Sequence, residues 1–372
     1  MTTRPRIPAA EQVLELLPDP VMLVQGRGDM AEIAWGNAAA RTLVRPDLSG
    51  VHLLAVMRQP DVLEAIAEAV QQAPRSIEVA YETIGVRPRQ WRAFVQAFSA
   101  TPGEPDILLM LRDETDARRT ERMRADFLAN ASHELRTPLA SLAGFVETLR
   151  THARDDPDAR TKFLAIMAEQ ADRMSRLIDN LLSLSRVELN EHIAPAARVD
   201  LAALAARIVE ASRPLLAARR VSVEIQGEAQ VAIGDEDQLV QVVQNLIDNA
   251  VRYSPSPGQV SVRVARAAAL PADDGEPGAD GRVQLALLSP DAAPTNGWVR
   301  LDVADQGRGI ARSHLPRLSE RFYRVEGQGG GGAGLGLAIV KHVINRHRGG
   351  LTVLSAEGRG ACFSVYLPAA SP

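Results

Sequence analysis

Leu128, Leu135, Leu142 and Leu149 recur every seven residues, with Leu139 and Val146 filling the intermediate steps. Beyond a break at Asp155-Asp156-Pro157, a second series runs Phe163, Met167, Gln170, Met174, Leu177, Leu181, Leu184 in alternating steps of four and three. Such spacing lays apolar residues along one narrow helical stripe, the pattern of coiled coils and four-helix bundles. It predicts a helical hairpin. Two helices with seams this narrow cannot enclose a core alone, so the expected assembly is a homodimeric four-helix bundle.

Upstream, over residues 12–112, short apolar runs alternate with polar turns: Val21 to Val24, Ile33 to Trp35, a helical stretch near Asp61 to Gln72, then I-E-V-A-Y-E, W-R-A-F-V-Q-A-F and I-L-L-M-L. Period-two alternation in the last three, with Phe94 and Phe98 on one face and Val95 on the other, predicts antiparallel strands. Asn37 precedes an alanine-rich turn, where a capping residue belongs. Residues 1–112 therefore read as a small α+β module. From Asp113 to Asp126 nine of fourteen residues are charged, without glycine or proline. That density predicts a solvated connector helix, and the helical region is bounded at 113–190.

After Asn190 the pattern becomes α/β. A helix from Leu201 to Ala218 leads to a strand at Val221 to Ile225 and a long helix from Glu236 to Val251. Strands at Val260 to Ala265 and Trp298 to Asp305 follow, then a helix from about Gly334 to Arg348 and strands near Leu351 and Cys362. Within this region, 191–372, the stretch 266–297 is rich in Ala, Pro, Gly and Asp and holds one apolar run, Val283 to Leu288. A structureless segment of that length is uncommon inside a domain, so it reads as a surface insertion between two paired strands.

At 372 residues and 46% apolar content the chain has material for two or three domains with buried cores. Its formal charge of -4 supplies no basic field of the kind that dominates nucleic-acid binding, so nucleic acid is not expected as a direct partner. A single cysteine, Cys362, permits no disulfide within the chain and reads as a small apolar residue of a late strand. No stretch approaches the roughly 18 to 20 apolar residues of a membrane helix. The expectation is a cytoplasmic chain, or one whose membrane segment or membrane partner lies outside it.

Candidate chemistry begins at His133, in F-L-A-N-A-S-H-E-L-R-T-P. His133 falls off the leucine seam, so a helix through it turns the imidazole to solvent. A lone surface histidine usually does nothing; its neighbours change that reading. Glu134 can keep one ring nitrogen protonated and take up charge as the other attacks phosphorus. Thr137 lies one turn on and shares the face, so its hydroxyl can order a water there. Pro138 removes a backbone bond to Glu134, and the heptad running through it predicts one kinked helix rather than two.

Asn245 and Asn249 stand four residues apart on one helix face, where carboxamide oxygens can support a magnesium ion bridging phosphates. Arg252 and Tyr253 follow one turn later, placed for phosphate charge and for packing near a nucleotide. Asp305, ahead of Gly307 and Gly309, ends a strand with a carboxylate able to accept from an exocyclic amine such as adenine's. The run Gly329 to Val340 carries Gly334, Leu335, Gly336 and Leu337 into an apolar helix, exposing N–H groups at its positive end. Gly327 to Gly332 would be a lid over a triphosphate. Neither a Walker lysine motif nor G-x-G-x-x-G after a first strand occurs, so the site is neither a P-loop nor a dinucleotide fold.

Together these strings resemble the sensor histidine kinases of two-component systems, over residues from about 113 to 367. S-H-E-L-R-T-P is similar to that family's phospho-acceptor motif. Asn245 to Tyr253 is similar to its asparagine box, Asp305 to Ile310 to its first glycine box, Glu320 to Arg324 to its phenylalanine box, and Gly334 to Leu337 to its second. The resemblance implies a multidomain α+β protein with a dimeric four-helix-bundle histidine domain and an α/β sandwich of the Bergerat type shared with gyrase and MutL ATPases. It implies ATP and Mg2+ as cofactors, Asn249 as metal ligand, Asp305 as reader of adenine, and the loop before Gly334 as ATP lid. Where related ATPases carry a hydrolytic glutamate, Asn245 would spare ATP until His133 arrives. Phosphoryl transfer to a response regulator receiver domain follows, with Thr137 supporting the reverse dephosphorylation. Residues 1–112 resemble a PAS-like sensor, through strand order and the junction Asp113-Glu114-Thr115, with an unknown ligand or upstream sensor. Arg112 to Pro138 is most similar to the phosphate-regulon sensor kinases. A signalling adaptor with a vestigial ATP site and an ATP-driven conformational machine are the competing classes; the intact Asn249, Asp305, Gly307 and Gly336 oppose the first, and Asn245 opposes the second.

Overall fold

The computed structural model describes residues 10–26, 31–71, 76–83, 88–101, 104–271, 278, 281–325 and 333–371. The chain divides into two compact units, Met1–Asp126 and Phe127–Pro372.

In the first unit α1 (Ala10–Glu15), β1 (Val21–Gln25), β2 (Glu32–Gly36), α2 (Ala38–Leu43), β3 (Val51–His52), α3 (Leu53–Val56) and α4 (Pro60–Gln71) precede three longer strands, β4 (Ser76–Glu82), β5 (Gln90–Thr101) and β6 (Glu104–Asp113). They form one sheet in the order β3-β2-β1-β6-β5-β4, antiparallel at each pairing. Along β5 the residues Trp91, Ala93, Val95 and Ala97 are buried, in one core with Val62, Ala65, Ile66 and Ala69 of α4. Phe98 stays 41% exposed, so the face of β5 that carries Phe94 and Phe98 is the outer one. On that face the Arg112 guanidinium sits 5.3 Å from the Phe94 ring centroid. Asn37 caps α2 as the sequence predicts: its carboxamide oxygen accepts from Ala40 N–H and Val21 N–H, and its amide donates to Leu14, Leu17 and Asp19 carbonyls. At the strand-to-helix junction Thr115 N–H donates to Asp113, while the Thr115 hydroxyl oxygen accepts from Gln90 N–H.

Helix α5 (Thr115–Arg150) runs unbroken through Pro138, as the heptad predicts, and α6 (Pro157–Leu189) completes the hairpin. Asp156 caps α6 by accepting from Asp158 and Ala159 N–H. Leu128, Leu139 and Val146 of the first seam remain exposed in the single chain. The second seam does not all belong to the hairpin. Leu177, Leu184 and Val187 are buried in the same continuous core as Ile339, Val340 and Val343 further along the chain.

The remaining elements are β7 (Arg198–Asp200), α7 (Leu201–Ala211), α8 (Arg213–Arg219), β8 (Val221–Gly227), β9 (Val231–Ile233), α9 (Glu236–Tyr253), β10 (Gly258–Ala267), β11 (Val283–Leu288), β12 (Trp298–Asp305), α10 (Gly336–Arg346), β13 (Gly350–Ser355) and β14 (Ala361–Pro368). A six-stranded sheet, ordered β11-β13-β14-β12-β10-β8, packs against α7, α9 and α10 through one apolar core, giving the expected α/β sandwich. Two expectations need correction. The helix read over Leu201 to Ala218 is two helices, because the Ser212 hydroxyl bonds back to the Ile208 carbonyl and Pro214 restarts the chain at the head of α8. The insertion 266–297 is not structureless, since Val283–Leu288 adds an antiparallel edge strand beside β13. The two strands that flank it, β10 and β12, pair with each other as predicted. The expected lid, Gly327 to Gly332, lies outside the described residues. Among the described residues no helix is long and apolar enough to cross a membrane.

His347 ties α9 to α10. Its Nε2 accepts from Asp235 N–H at 2.9 Å and its Nδ1 lies 2.7 Å from the Val343 carbonyl, both in a buried setting. Burial pushes its pKa below the ordinary value, with the Val343 bond opposing that shift. The unfolded chain therefore binds the proton more tightly, so stability from His347 is full above about pH 6.5 and declines as pH falls. Thermal unfolding between neutral and mildly acidic pH is expected to show this loss, and His347→Gln to flatten it.

Candidate active site between the helical hairpin and the sandwich

A cavity of about 630 Å³ lies within the second unit, between α6 and the helices of the sandwich. Helix α9 is amphipathic: Leu239, Val242, Val243, Leu246, Ile247 and Ala250 face the sheet, which turns Asn245, Asn249 and Arg252 into the cavity with Tyr253. Asn245 is fixed by donating its amide to the Gln241 carbonyl at 2.9 Å. That leaves its oxygen toward α10, 2.9 Å from where a Cβ on Gly336 would stand. A side chain at 336 would press on the Asn245 carboxamide, so glycine lets it keep this position.

Asp305 ends β12 and is partly buried. Its Oδ1 accepts from Gly307 N–H at 2.8 Å and from Ala361 N–H at 3.3 Å. Burial raises its pKa and those two bonds oppose the rise. The turn that follows requires glycine: Gly309 has φ +68°, and a Cβ there would stand 1.8 Å from the Ala356 carbonyl oxygen. On the other wall Gly334 (φ +70°) accepts from Phe322 N–H at 2.9 Å, closing the backbone on either side of the segment that precedes α10.

Of the residues selected from sequence, Glu134, Asn245, Asn249, Arg252, Tyr253, Asp305, Gly309, Gly334, Leu335, Gly336 and Leu337 line this one cavity, together with Pro138. His133 and Thr137 do not. His133 is exposed on α5, and Thr137 donates its hydroxyl to the His133 carbonyl at 3.3 Å. Gly307 is buried beneath the site, with Tyr253 O 2.3 Å from the place of a Cβ. Sequence reasoning missed Arg173, Arg176, Asp179 and Asn180, which line the cavity from α6, and Asp248 from α9. Their signal was available in helical phase, since Arg173, Arg176 and Asn180 sit at i, i+3 and i+7 beside the seam. Asp248 accepts from Gln244 at 2.8 Å, and burial raises its pKa against that bond and the pull of Arg252 and Arg176.

The hairpin is held against the sandwich by more than packing. Arg321 donates to Glu188 at 2.6 Å, and its guanidinium stands 5.3 Å from the Phe127 ring centroid. Phe127 in turn meets Phe322 at 5.9 Å. Asn345 donates to Glu191 at 2.5 Å, and His342 lies 3.4 Å from the same carboxylate. The phenylalanine box is therefore docked on both helices of the hairpin.

A nucleotide-sized cavity cradled by glycines, with a histidine-bearing hairpin forming one wall, is the arrangement of an autophosphorylating phosphotransferase. Residues 234–371 match the family described as histidine kinase-, DNA gyrase B-, and HSP90-like ATPase, which implies ATP binding, and residues 123–190 match the His kinase A phospho-acceptor domain. The phosphate regulon sensor protein PhoR of Pseudomonas aeruginosa is 33% identical over 94% of this chain and 72% of its own length. The sensor-like histidine kinase SenX3 of Mycolicibacterium smegmatis is 32% identical over 70% of this chain and 62% of its own length. The sensor protein kinase WalK of Staphylococcus epidermidis is 28% identical over 88% of this chain, which spans 49% of that protein. Among solved structures, the histidine kinase AdeS of Acinetobacter baumannii is 22% identical, with a TM-score of 0.46 over 64% of this chain and 98% of that one. The chain belongs to the two-component sensor histidine kinases, a family of ATP-dependent protein-histidine kinases.

Gly309→Ala tests the cradle. Strain at positive φ and the overlap with Ala356 are expected to lower the unfolding free energy by about 1–3 kcal/mol in denaturant titration. Gly144→Ala, in the middle of α5 with nothing within 4 Å, should leave it equal or higher.

Proposed function

We propose that His133 is the phospho-acceptor of this kinase, labelled by the γ-phosphate of ATP held in the cavity, and that the phosphoryl group passes on to an aspartate of a response regulator receiver domain. The observation that carries the proposal is Glu134: the residue next to the histidine lines the same cavity as Asn249, Asp305 and Gly336. In this reading Glu134 takes the proton from the ring as the other nitrogen attacks. Asp305, held by two backbone N–H groups, presents its second oxygen to the adenine amine. The N-terminus of α10 at Gly336 faces phosphate charge, and Arg252 adds a cation. Tyr253, Leu335 and Leu337 pack around the nucleotide.

The residues also fit Mg2+. Among the described residues no cluster of three His, Cys, Asp or Glu side chains forms a metal site by itself. Asn249 supplies a single neutral oxygen, as suits an ion held largely by phosphates and water, and when bound the ion neutralises phosphate charge. Thr137, on the exposed face beside His133, is assigned to water-assisted dephosphorylation of the regulator. We divide the chain into a PAS-like sensor at 1–112, a connector and histidine hairpin at 113–190, and an ATP-binding domain at 191–372. Leu128, Leu139 and Val146, exposed on α5, favour burial in a homodimeric bundle. The printed name of the Pseudomonas relative favours a signal connected with phosphate, received through the first unit from an unknown ligand or upstream sensor. A cytoplasmic location is part of the same proposal.

Incubation with γ-labelled Mg-ATP decides the assignment. Acid-labile label is expected on the wild type and absent from His133→Ala. Glu134→Gln should slow labelling by about 10²- to 10⁴-fold, the range for losing a general base. Label retained by His133→Ala contradicts the proposal.

A further inference from the structure

We infer that Arg173 of α6 is a positioning residue for this reaction, shared between Glu134 and the terminal phosphate of ATP; the inference rests on the roles proposed above for His133 and Glu134. Arg173 reaches across the hairpin so that its Nη2 lies 3.6 Å from Glu134 Oε2. Both side chains line the cavity that Asn249 and Gly336 also line. Their side chains are 39% and 33% exposed. An ion pair this long and this open to solvent contributes little, and helices of 36 and 33 residues do not need it to stay together. Its place explains it better than its strength does.

A guanidinium pairs with phosphate through two parallel charge-assisted bonds, and a terminal phosphate carries more charge than a carboxylate. A phosphate in this cavity therefore competes for Arg173, and what it gains Glu134 gives up. A carboxylate oxygen that bonds a guanidinium is turned away from other donors, and one released from it can turn to the imidazole N–H. Of the two arginines that α6 turns into the cavity, Arg173 is the one paired with Glu134. In the transfer a ring nitrogen of His133 forms a bond to the γ-phosphorus, while the bond from that phosphorus to the oxygen bridging the β-phosphate breaks. ADP departs with the electron pair, and the proton on the second ring nitrogen passes to Glu134. Arg173 makes the two halves conditional on each other. Base release then follows phosphate arrival, which suits an ATP site that must not spend its nucleotide on water.

The test compares initial rates of His133 labelling against ATP concentration in the full chain for wild type, Arg173→Met, Arg173→Lys, Glu134→Gln and the double variant Glu134→Gln/Arg173→Met. Arg173→Met is expected to lower kcat by about 10- to 100-fold with the KM for ATP held within about threefold, as for loss of one charge-stabilising group. Arg173→Lys should recover part of that loss. Added to Glu134→Gln, Arg173→Met should lower the rate by at least the factor it does alone, because the phosphate contact is lost in either background and only a native Glu134 can gain from the release. Thermal unfolding of every Arg173 variant should match wild type. A smaller fold-loss from Arg173→Met in the Glu134→Gln background than in wild type, an effect on KM alone, a wild-type rate in Arg173→Met, or failure of that variant to fold would each overturn the inference. Absence of label on wild type, or label that survives His133→Ala, instead overturns the function on which it rests.

Discussion

Leu177, Leu184 and Val187 are residues of a hairpin helix that lie in the core of a different layer. Each fully buried aliphatic side chain contributes about 1.5–3 kcal/mol, whereas an exposed ion pair contributes about 0–1 kcal/mol. The apolar contact of α6 with α10 is thus what joins the hairpin to the sandwich. The bonds of Arg321 to Glu188 and of Asn345 to Glu191 set the register of that contact more than its strength. Because α6 is anchored this way, its polar flank with Arg173, Arg176 and Asn180 becomes a wall of the nucleotide cavity, and α5 brings Glu134 and Pro138 to the same wall.

The rest of the site follows from where charge is placed and what screens it. Asp305 is carried into a partly buried turn, and two backbone N–H groups offset the desolvation. Gly309 beside it is a steric requirement, since a Cβ there would stand against the Ala356 carbonyl, whereas at Gly336 a Cβ would meet the Asn245 carboxamide. His133 is in the opposite situation, exposed on α5 without a hydrogen-bond or ion-pair partner for its ring among the described residues. An exposed imidazole can meet both an ATP site and a separate receiver domain. A buried one, such as His347, is fixed by its bonds to Asp235 and Val343.

Much of this was readable from the chain, for identifiable reasons. Periodicity located α5, α6, α9 and the strands because each buries one face. Asn37 was recognisable as a cap and Pro138 as a residue within a continuing helix, because both act through local backbone geometry. Boxes spread over residues 245–337 pointed to one pocket, and α9, β12 and α10 do bring Asn249, Asp305 and Gly336 together. What escaped was tertiary. A heptad cannot say which of its leucines face a partner helix and which enter another layer, so the double duty of α6 was missed. Arg173 was passed over because a charged residue beside a seam reads as solvated until a cavity is seen next to it. The strand Val283–Leu288 was hidden by its setting of Ala, Pro, Gly and Asp, since an edge strand needs only one neighbour, and β13 lies far away in sequence.

In the proposed reading the hairpin forms the phosphate end of the ATP cavity, so that chemistry on His133 is a matter of reach within this arrangement. Photolabelling with an ATP analogue bearing an azidoanilide on its γ-phosphate, followed by peptide mapping, tests it directly. Label on the α5 peptide around His133 to Pro138 and on the α6 peptide around Arg173 to Asn180 is the predicted result. Label confined to peptides of the α/β sandwich would contradict it.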